Sequence, residues 1–302
     1  MSKDKTEKIL NLNPFQFDDH FFNPNWRPVV YNFYDRFHIE RVEMYREHLS
    51  LPLPPHRRSV YFFIYLKTGS ATRSKGLSKY EIKAGQFFLL PAQQITTFES
   101  ISADATGFYC HFQPDIFLQT TLKVDIDKEF PFFQLRSEPV VAITEFRRID
   151  QLLAILEQEY HLSQTERFDL VPVYLLALFA ELKHLNVMSE SEPKNASSYI
   201  TQRYKNALSE LIYQKKTVAE FAEYLAISPN HLHKCVKLTT GKTAHDLLNE
   251  MRILEAKVLL RQTHLSIGEI AFKIGQFESS DFSRFFKKNT NLTPNQYRKT
   301  VI

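Results

Sequence analysis

The last hundred residues contain an internal repeat, and it constrains the fold more than any other feature of the chain. T-V-A-E-F-A-E-Y-L-A from Thr217 aligns with S-I-G-E-I-A-F-K-I-G from Ser266 at an offset of 49. After one extra residue near Gln276 the offset becomes 50, which matches Leu232 with Phe282, Lys237 with Lys287 and Thr243 with Thr293. Each copy opens on a hydroxyl residue with Glu three positions later, Thr217 with Glu220 and Ser266 with Glu269, the spacing that satisfies free amides at a helix start. In the first copy Val218, Phe221, Ala222 and Leu225 form one helical stripe, and the chain turns at Ala226 and Ile227. Ser228 and Pro229 then supply an N-cap hydroxyl and a first-turn proline for a second helix. There Leu232, Cys235 and Val236 point inward, and Asn230, His231, His233, Lys234 and Lys237 point outward. The second copy is expected to bury Phe282, Phe285 and Phe286 and to expose Ser279, Ser280, Ser283, Arg284, Lys287 and Lys288.

Two short helices joined by a tight turn, the second carrying small polar and basic side chains, make a helix-turn-helix unit that sets its second helix in a DNA major groove. Arg and Lys donate to guanine O6 and N7, Asn and Ser reach base edges, and small hydroxyl residues at a helix start let the backbone approach phosphate. For one copy alone, the ordinary solvated face of a helical hairpin explains the pattern equally well; the duplication favours DNA. Thr243 to Arg261 reads as one connecting helix, with Thr243 and Asp246 as its capping box. Its 19 residues span ~29 Å at 1.5 Å each, near the ~34 Å between successive major-groove faces. Charge agrees: of a net +4, residues 199–302 hold 16 Lys and Arg against 9 Asp and Glu, so the remainder is slightly acidic. Such a surplus fits a polyanion, although an anionic membrane surface would satisfy charge alone.

Upstream, the segment 188–198 (M-S-E-S-E-P-K-N-A-S-S) is polar and aperiodic and reads as a linker. The expected division is therefore a first domain over 1–188, a linker over 189–198 and the repeat-bearing domain over 199–302. Short β-branched and aromatic runs at Val60–Leu66, Tyr80–Ile82, Phe87–Leu90 and Thr106–Phe112, separated by turn-rich stretches such as 67–76, predict an all-β region. Val60–Leu66 is apolar on both alternating faces, as in a strand covered on both sides of a sandwich or closed barrel. Two amphipathic helices follow over 145–160 and 168–185, with Ile149, Leu152, Leu153 and Leu156 on one stripe and Tyr174, Leu175, Leu178 and Leu182 on the other. The fold class is thus α+β, a β-barrel or sandwich with two helices followed by an all-α domain. The longest apolar run, Leu170–Ala180, has 11 residues, short of the ~20 needed to span a bilayer. Met1–Leu10 lacks an apolar signal core, so a cytoplasmic location is expected. Cys110 and Cys235 stand far apart among apolar neighbours and read as reduced core thiols.

The span Tyr199–Thr300 resembles the DNA-binding domain of AraC/XylS-type transcription regulators, most of all in S-I-G-E-I-A-F-K-I-G-Q-F-E-S-S-D-F-S-R-F-F-K-K-N-T-N-L-T-P-N-Q-Y-R from Ser266 to Arg298. The resemblance covers about a third of the chain. It implies a final short helix packed by Thr293-Pro294 to Tyr297-Arg298. Two departures touch turn geometry: Ala226 stands where the family usually has Gly, and Gly275 is followed by Gln276 and Phe277 where Gly-Phe is more common. By architecture, the upstream β region with two helices resembles the cupin-like sensing and dimerisation domain of the same family.

His231 and His233 diverge by about 200° on a helix and cannot grip one ion. His231 and Cys235 have i, i+4 spacing, but Cys235 takes the inward position equivalent to Phe285. A metal-dependent cupin enzyme would need a cluster that is missing here: Arg57 and Arg58 follow His56, Phe63 stands where a Glu is needed, and residues 85–98 contain no His. No metal, cofactor or catalytic residue is expected. Tyr61, Phe62, Phe63, Tyr65, Phe87, Phe88, Phe108 and Tyr109 can line a ligand cavity or simply fill a core, and no effector-binding residue is assigned. The expectation is a cytoplasmic, sequence-specific transcription regulator, an activator rather than an enzyme. It would bind double-stranded DNA, answer to a small-molecule effector and act as a homodimer, with RNA polymerase a further candidate partner and no membrane. The alternatives are a cupin-type enzyme with an accessory DNA-binding tail and an effector-independent DNA-binding protein. The homodimer is expected to form through surplus apolar surface on the two upstream helices, with Leu152 and Leu156 the first candidates for the contact.

Overall fold

The structure, a computed structural model, describes residues 11–23, 26–28, 30–118, 124–162, 168–187, 195–275 and 277–300. Its internal contacts divide the chain into one unit over 13–192 and another holding 1–12 and 193–302. The first is built on strands β1 (Phe37–Arg41), β2 (Leu53–His56), β3 (Tyr61–Thr68), β4 (Ser70–Lys75), β5 (Ser78–Lys83), β6 (Gln86–Leu90), β7 (Thr96–Ile101), β8 (Thr106–Phe112) and β9 (Val140–Ala142). They form two antiparallel sheets, ordered β1-β8-β3-β6-β9 and β2-β7-β4-β5. Helices α1 (Pro14–Phe21), α2 (Val42–Tyr45), α3 (Ile126–Glu129), α4 (Phe146–Leu162) and α5 (Val171–Val187) complete this unit.

β3 is the middle strand of the larger sheet, and its first six residues are buried, as the two-sided apolar run predicts. Alternation sends Tyr61, Phe63 and Tyr65 to the face covered by α4 and α5, where they meet Ile149, Leu153, Leu156, Leu175, Leu178, Phe179 and Leu182. Each such side chain, once buried, contributes ~1.5–3 kcal/mol of transfer free energy, so this layer holds the unit together. Leu156 is fully buried in the core of its own protomer and Leu152 is half-buried against it, which removes Leu156 as a subunit contact. Most of the stretch 67–76, read as turns, is instead strand: Ser70–Lys75 is β4, paired with β5 and β7. Its polar sequence hides the strand because Arg73, Ser74 and Lys75 are buried there rather than exposed. The two cysteines are both buried and free.

The second unit is all α: α6 (Ala196–Leu211), α7 (Val218–Tyr224), α8 (Pro229–Thr240), α9 (Ala244–Gln262), α10 (Ile267–Gly275), α11 (Ser279–Thr290) and α12 (Pro294–Lys299). Asn195 caps α6 by accepting from the Ser198 amide, so the helix begins within the segment read as linker; residues 188–194 of that segment lie outside the described residues. α9 matches the connecting helix shifted by one residue, and Thr243 and Asp246 form its capping box. Twelve of its 19 residues are buried, because it packs against α6, α7, α8, α10 and α12 and so serves as the strut shared by both repeats.

Candidate nucleic-acid interface

The repeat in sequence is a repeat in structure. α7 and α8 form one hairpin, α10 and α11 the other, and each second helix stops on a left-handed residue at equivalent positions, Gly241 (φ 73°) and Asn291 (φ 62°). Each stop is followed by a capping box, Thr243 with Asp246 and Thr293 with Gln296. At the helix openings Ser266 and Glu269 cap α10 reciprocally, the Ser266 amide donating to the Glu269 carboxylate at 2.7 Å. In the first copy Thr217 caps the Glu220 amide, and the Glu220 carboxylate accepts from the Lys216 amide at 2.6 Å. These bonds hold the Glu220 and Glu269 carboxyls below the usual carboxylate range: in Glu220 the backbone amide of Lys216 does most, in Glu269 the side chain of Ser266.

The turn between α7 and α8 explains the first departure from the family pattern. The Ile227 amide bonds the Ala222 carbonyl at 3.0 Å and the Ala226 amide bonds the Glu223 carbonyl at 2.9 Å, a Schellman stop with Ala226 at φ 58°. Glycine takes that conformation without strain, whereas a Cβ costs ~1–2 kcal/mol there. Gly275 plays a different part. It remains helical, and a Cβ there would stand 2.3 Å from the Phe277 ring, so its missing side chain seats that ring, which stacks on Phe285 at 5.4 Å. The extra residue, Gln276, lies outside the described residues.

The inward sets hold with one correction. Leu232, Cys235, Val236, Phe282 and Phe286 are buried, while Phe285 is only half-buried because its ring lies against Phe277 at the rim. Asn230, His231, Lys234 and Lys237 are exposed on α8, and Ser279, Ser280, Arg284, Lys287 and Lys288 on α11; His233 and Ser283 are half-buried. Several of these groups already have local partners. The His231 ring lies back along its helix, with the Cys235 Sγ 3.7 Å from its Nε2, and the Ser283 hydroxyl donates to the Ser279 carbonyl at 2.8 Å. Arg284 pairs with Asp281 one turn earlier, both largely exposed. Among the described residues no carboxylate pairs with Lys234, Lys237, Lys287 or Lys288. Each second helix therefore presents exposed cations without an ion-pair partner on one face. Arg298, by contrast, clasps α12 to the end of α9 by donating to the Leu260 and Leu265 carbonyls.

In the first unit His56 is sandwiched by Phe17 and Phe21 at 5.3 and 5.2 Å, and burial pulls it down to about 3, so it is a neutral packing group. Among the described residues no three His, Cys, Asp or Glu side chains stand close enough to hold a metal ion, and no helix is long and apolar enough to cross a membrane. Arg58 and Arg73 are also buried in this unit. The one sign of it in the sequence is the place of Arg73 in the alternation of β4, which the polar composition of that strand masks.

Two family descriptions match the chain: an AraC-like ligand binding domain over residues 43–171 and a helix-turn-helix domain over 221–300. Among curated relatives, the uncharacterized HTH-type transcriptional regulator YisR of Bacillus subtilis is 25% identical over 259 residues, 80% of this chain and 87% of that protein. The HTH-type transcriptional activator RhaR of an Enterobacter species is 24% identical over 224 residues, 72% of this chain and 77% of that protein. Among solved structures, the C-terminal domain of AraT, a response regulator from Geobacillus stearothermophilus, is 31% identical. It covers 37% of this chain and 91% of that one, with a TM-score of 0.32. With both domains matched in order and the duplicated helix-turn-helix in place, the chain belongs to the AraC/XylS family of DNA-binding transcription regulators.

Proposed function

We propose that α8 and α11 read DNA, with Lys234 and Arg284 at base edges and Lys237, Lys287 and Lys288 on phosphates. Asn230, His231, His233, Ser279, Ser280 and Ser283 line the starts and inner edges of the same two helices. The observation that carries this reading is the repetition of exposed cations without an ion-pair partner at equivalent positions, Lys237 and Lys287, on the second helix of each unit. In this reading residues 1–188 sense a small-molecule effector and dimerise, 189–198 form the linker and 199–302, extended by the start of α6, bind DNA. The protein works in the cytoplasm, without enzymatic activity, as a homodimeric activator that engages RNA polymerase, activation being what the name of the RhaR relative describes. Leu162 and Val173 are exposed apolar residues of α4 and α5 and support a subunit contact there in place of Leu156.

The test is selection of bound fragments from a genomic pool by the full-length protein. A small set of related sites should be enriched, with affinity falling steeply as salt rises because phosphate contacts release counterions. Enrichment of unrelated sequences with a salt-insensitive affinity would overturn the reading.

A further inference from the structure

The space between the two sheets is cationic. Phe62, Phe88, Tyr109 and His111 lie on the face of the larger sheet opposite the helices, and Arg73 reaches toward them from β4 while Arg58 enters from the segment before β3. Arg73 is 2% exposed and Arg58 3%. The Arg73 guanidinium is held 4.4 Å from the Phe98 ring centre and 4.6 Å from that of Phe62. Arg58 stands 4.0 Å from the Phe17 ring centre and 5.9 Å from that of Phe62, so both cations gather about one ring.

Their other partners are neutral. Arg58 donates to the Tyr109 hydroxyl and, at 3.3 Å, to Nδ1 of His111, whose Nε2 donates to the Tyr34 carbonyl at 2.7 Å. Burial drives His111 well below the ordinary histidine range, which keeps it uncharged. The Nε atoms of both arginines are buried without a hydrogen-bond partner. Among the described residues neither arginine has a carboxylate within ion-pair distance. Asp18 acts on Arg58 only at longer range, and burial pushes its own carboxyl up to about 7. Burial pulls Arg73 down to about 10, which leaves it charged at neutral pH. Two buried cations with no carboxylate in contact, Asp18 acting on Arg58 only from longer range, are costly to keep, and the cost falls when an anion enters the same low-dielectric space. Stacking covers the flat faces of these guanidinium groups, and their edges carry the forked donors that fit a planar oxyanion.

We propose that Arg58 and Arg73 are the anion-binding end of the effector site, and that the effector is a small organic molecule carrying an oxyanion group. This rests on the reading that the N-terminal domain senses a small molecule. The test measures the thermal midpoint of the full-length protein with sodium benzoate, inorganic phosphate or glucose, against sodium chloride at equal ionic strength. Benzoate or phosphate should raise the midpoint by several degrees, and which of the two does so distinguishes a carboxylate from a phosphate ligand.

Arg73→Met should raise the probe concentration needed for that response roughly ten- to hundredfold, the worth of a charged hydrogen-bond set. Without probe the same variant should melt at or above the wild-type midpoint, since an apolar side chain of similar length removes an uncompensated charge. Arg73→Lys, which keeps the charge but loses the fork, should fall between the two. The assignment is overturned if neither oxyanion exceeds chloride, if Arg73→Met responds like wild type, or if Arg73→Met melts far below wild type and so reveals a structural cation. A midpoint rise with glucose that Arg73→Met retains would sink the oxyanion while leaving small-molecule sensing in place.

Discussion

Arg284→Ala should change which sequence the protein prefers rather than how well it folds. The Arg284 side chain is 80% exposed and its partner is Asp281, itself 55% exposed. Its removal should therefore leave folding stability within about 0.5 kcal/mol, as for other surface positions. On DNA, a bidentate contact to guanine carries ~1–3 kcal/mol of discrimination. Releasing Asp281 first costs the ~0.3–0.5 kcal/mol typical of a surface helix pair. The net loss is then about 0.5–2.7 kcal/mol, or roughly 2- to 100-fold in affinity for the selected site, and it should nearly vanish on duplexes altered at the one base pair that Arg284 reads. Asp281→Asn, by freeing the guanidinium, should tighten binding about twofold. Lys288→Ala serves as the contrast: it should weaken all duplexes alike and lower the salt slope by about 0.9. Fluorescence anisotropy on the selected site and its single-base variants, at two salt concentrations, separates these outcomes. If Arg284→Ala weakens every duplex equally and lowers the salt slope, Arg284 holds a phosphate and the base-reading assignment is wrong.

Ala226→Gly relieves a Cβ at φ 58°; after the entropy that glycine returns to the unfolded chain, the gain should be about 0.5–1 kcal/mol in the denaturation of the C-terminal domain. A loss would refute the strain argument. Asp18→Asn should flatten the pH dependence of stability: with its folded value near 7, above the ordinary 3.8, the stability that Asp18 contributes is present below about pH 4 and is lost as pH rises to about 7. Without solvent screening the separation would carry ~4 kcal/mol, and for this partly exposed carboxyl about 1–3 kcal/mol is expected, read as a higher midpoint of the variant at pH 8 with no difference at pH 3.5. Leu156→Glu should leave the N-terminal domain unfolded by circular dichroism, since it places a charge in a fully buried site, whereas Val173→Glu on the exposed face of α5 should give a folded monomer by sedimentation. A folded Val173→Glu dimer would move the subunit contact elsewhere.

Legibility followed the type of signal. The C-terminal domain could be read almost helix by helix because its boundaries are written in local chemistry: capping pairs such as Ser266 with Glu269 and Thr243 with Asp246, and apolar stripes of 3.6-residue period. Phe285 escaped because burial at the rim depends on the tertiary neighbour Phe277, which periodicity cannot see. In the N-terminal domain the apolar strands were legible and β4 was not, since a strand that buries Arg73 and Lys75 inverts the usual pattern. The same inversion hides the cationic interior: Arg58 and Arg73 meet about Phe62 only through the facing of two sheets, and the bend at Gly69 that carries the chain from β3 in one sheet to β4 in the other says nothing of which face each residue takes. Leu156 is legible as apolar but not as core, because a helical stripe alone does not say whether it meets its own sheet or a second subunit.

The central claim is that both helix-turn-helix units, joined by α9, engage one duplex through α8 and α11. Hydroxyl-radical footprinting of residues 195–302 on a selected site tests this most directly. The account predicts protection of two successive segments about one helical turn, or 10 base pairs, apart on one side of the duplex, with the α11 segment lost in Arg284→Ala. Protection of a single segment, or two segments on opposite sides of the duplex, would contradict it.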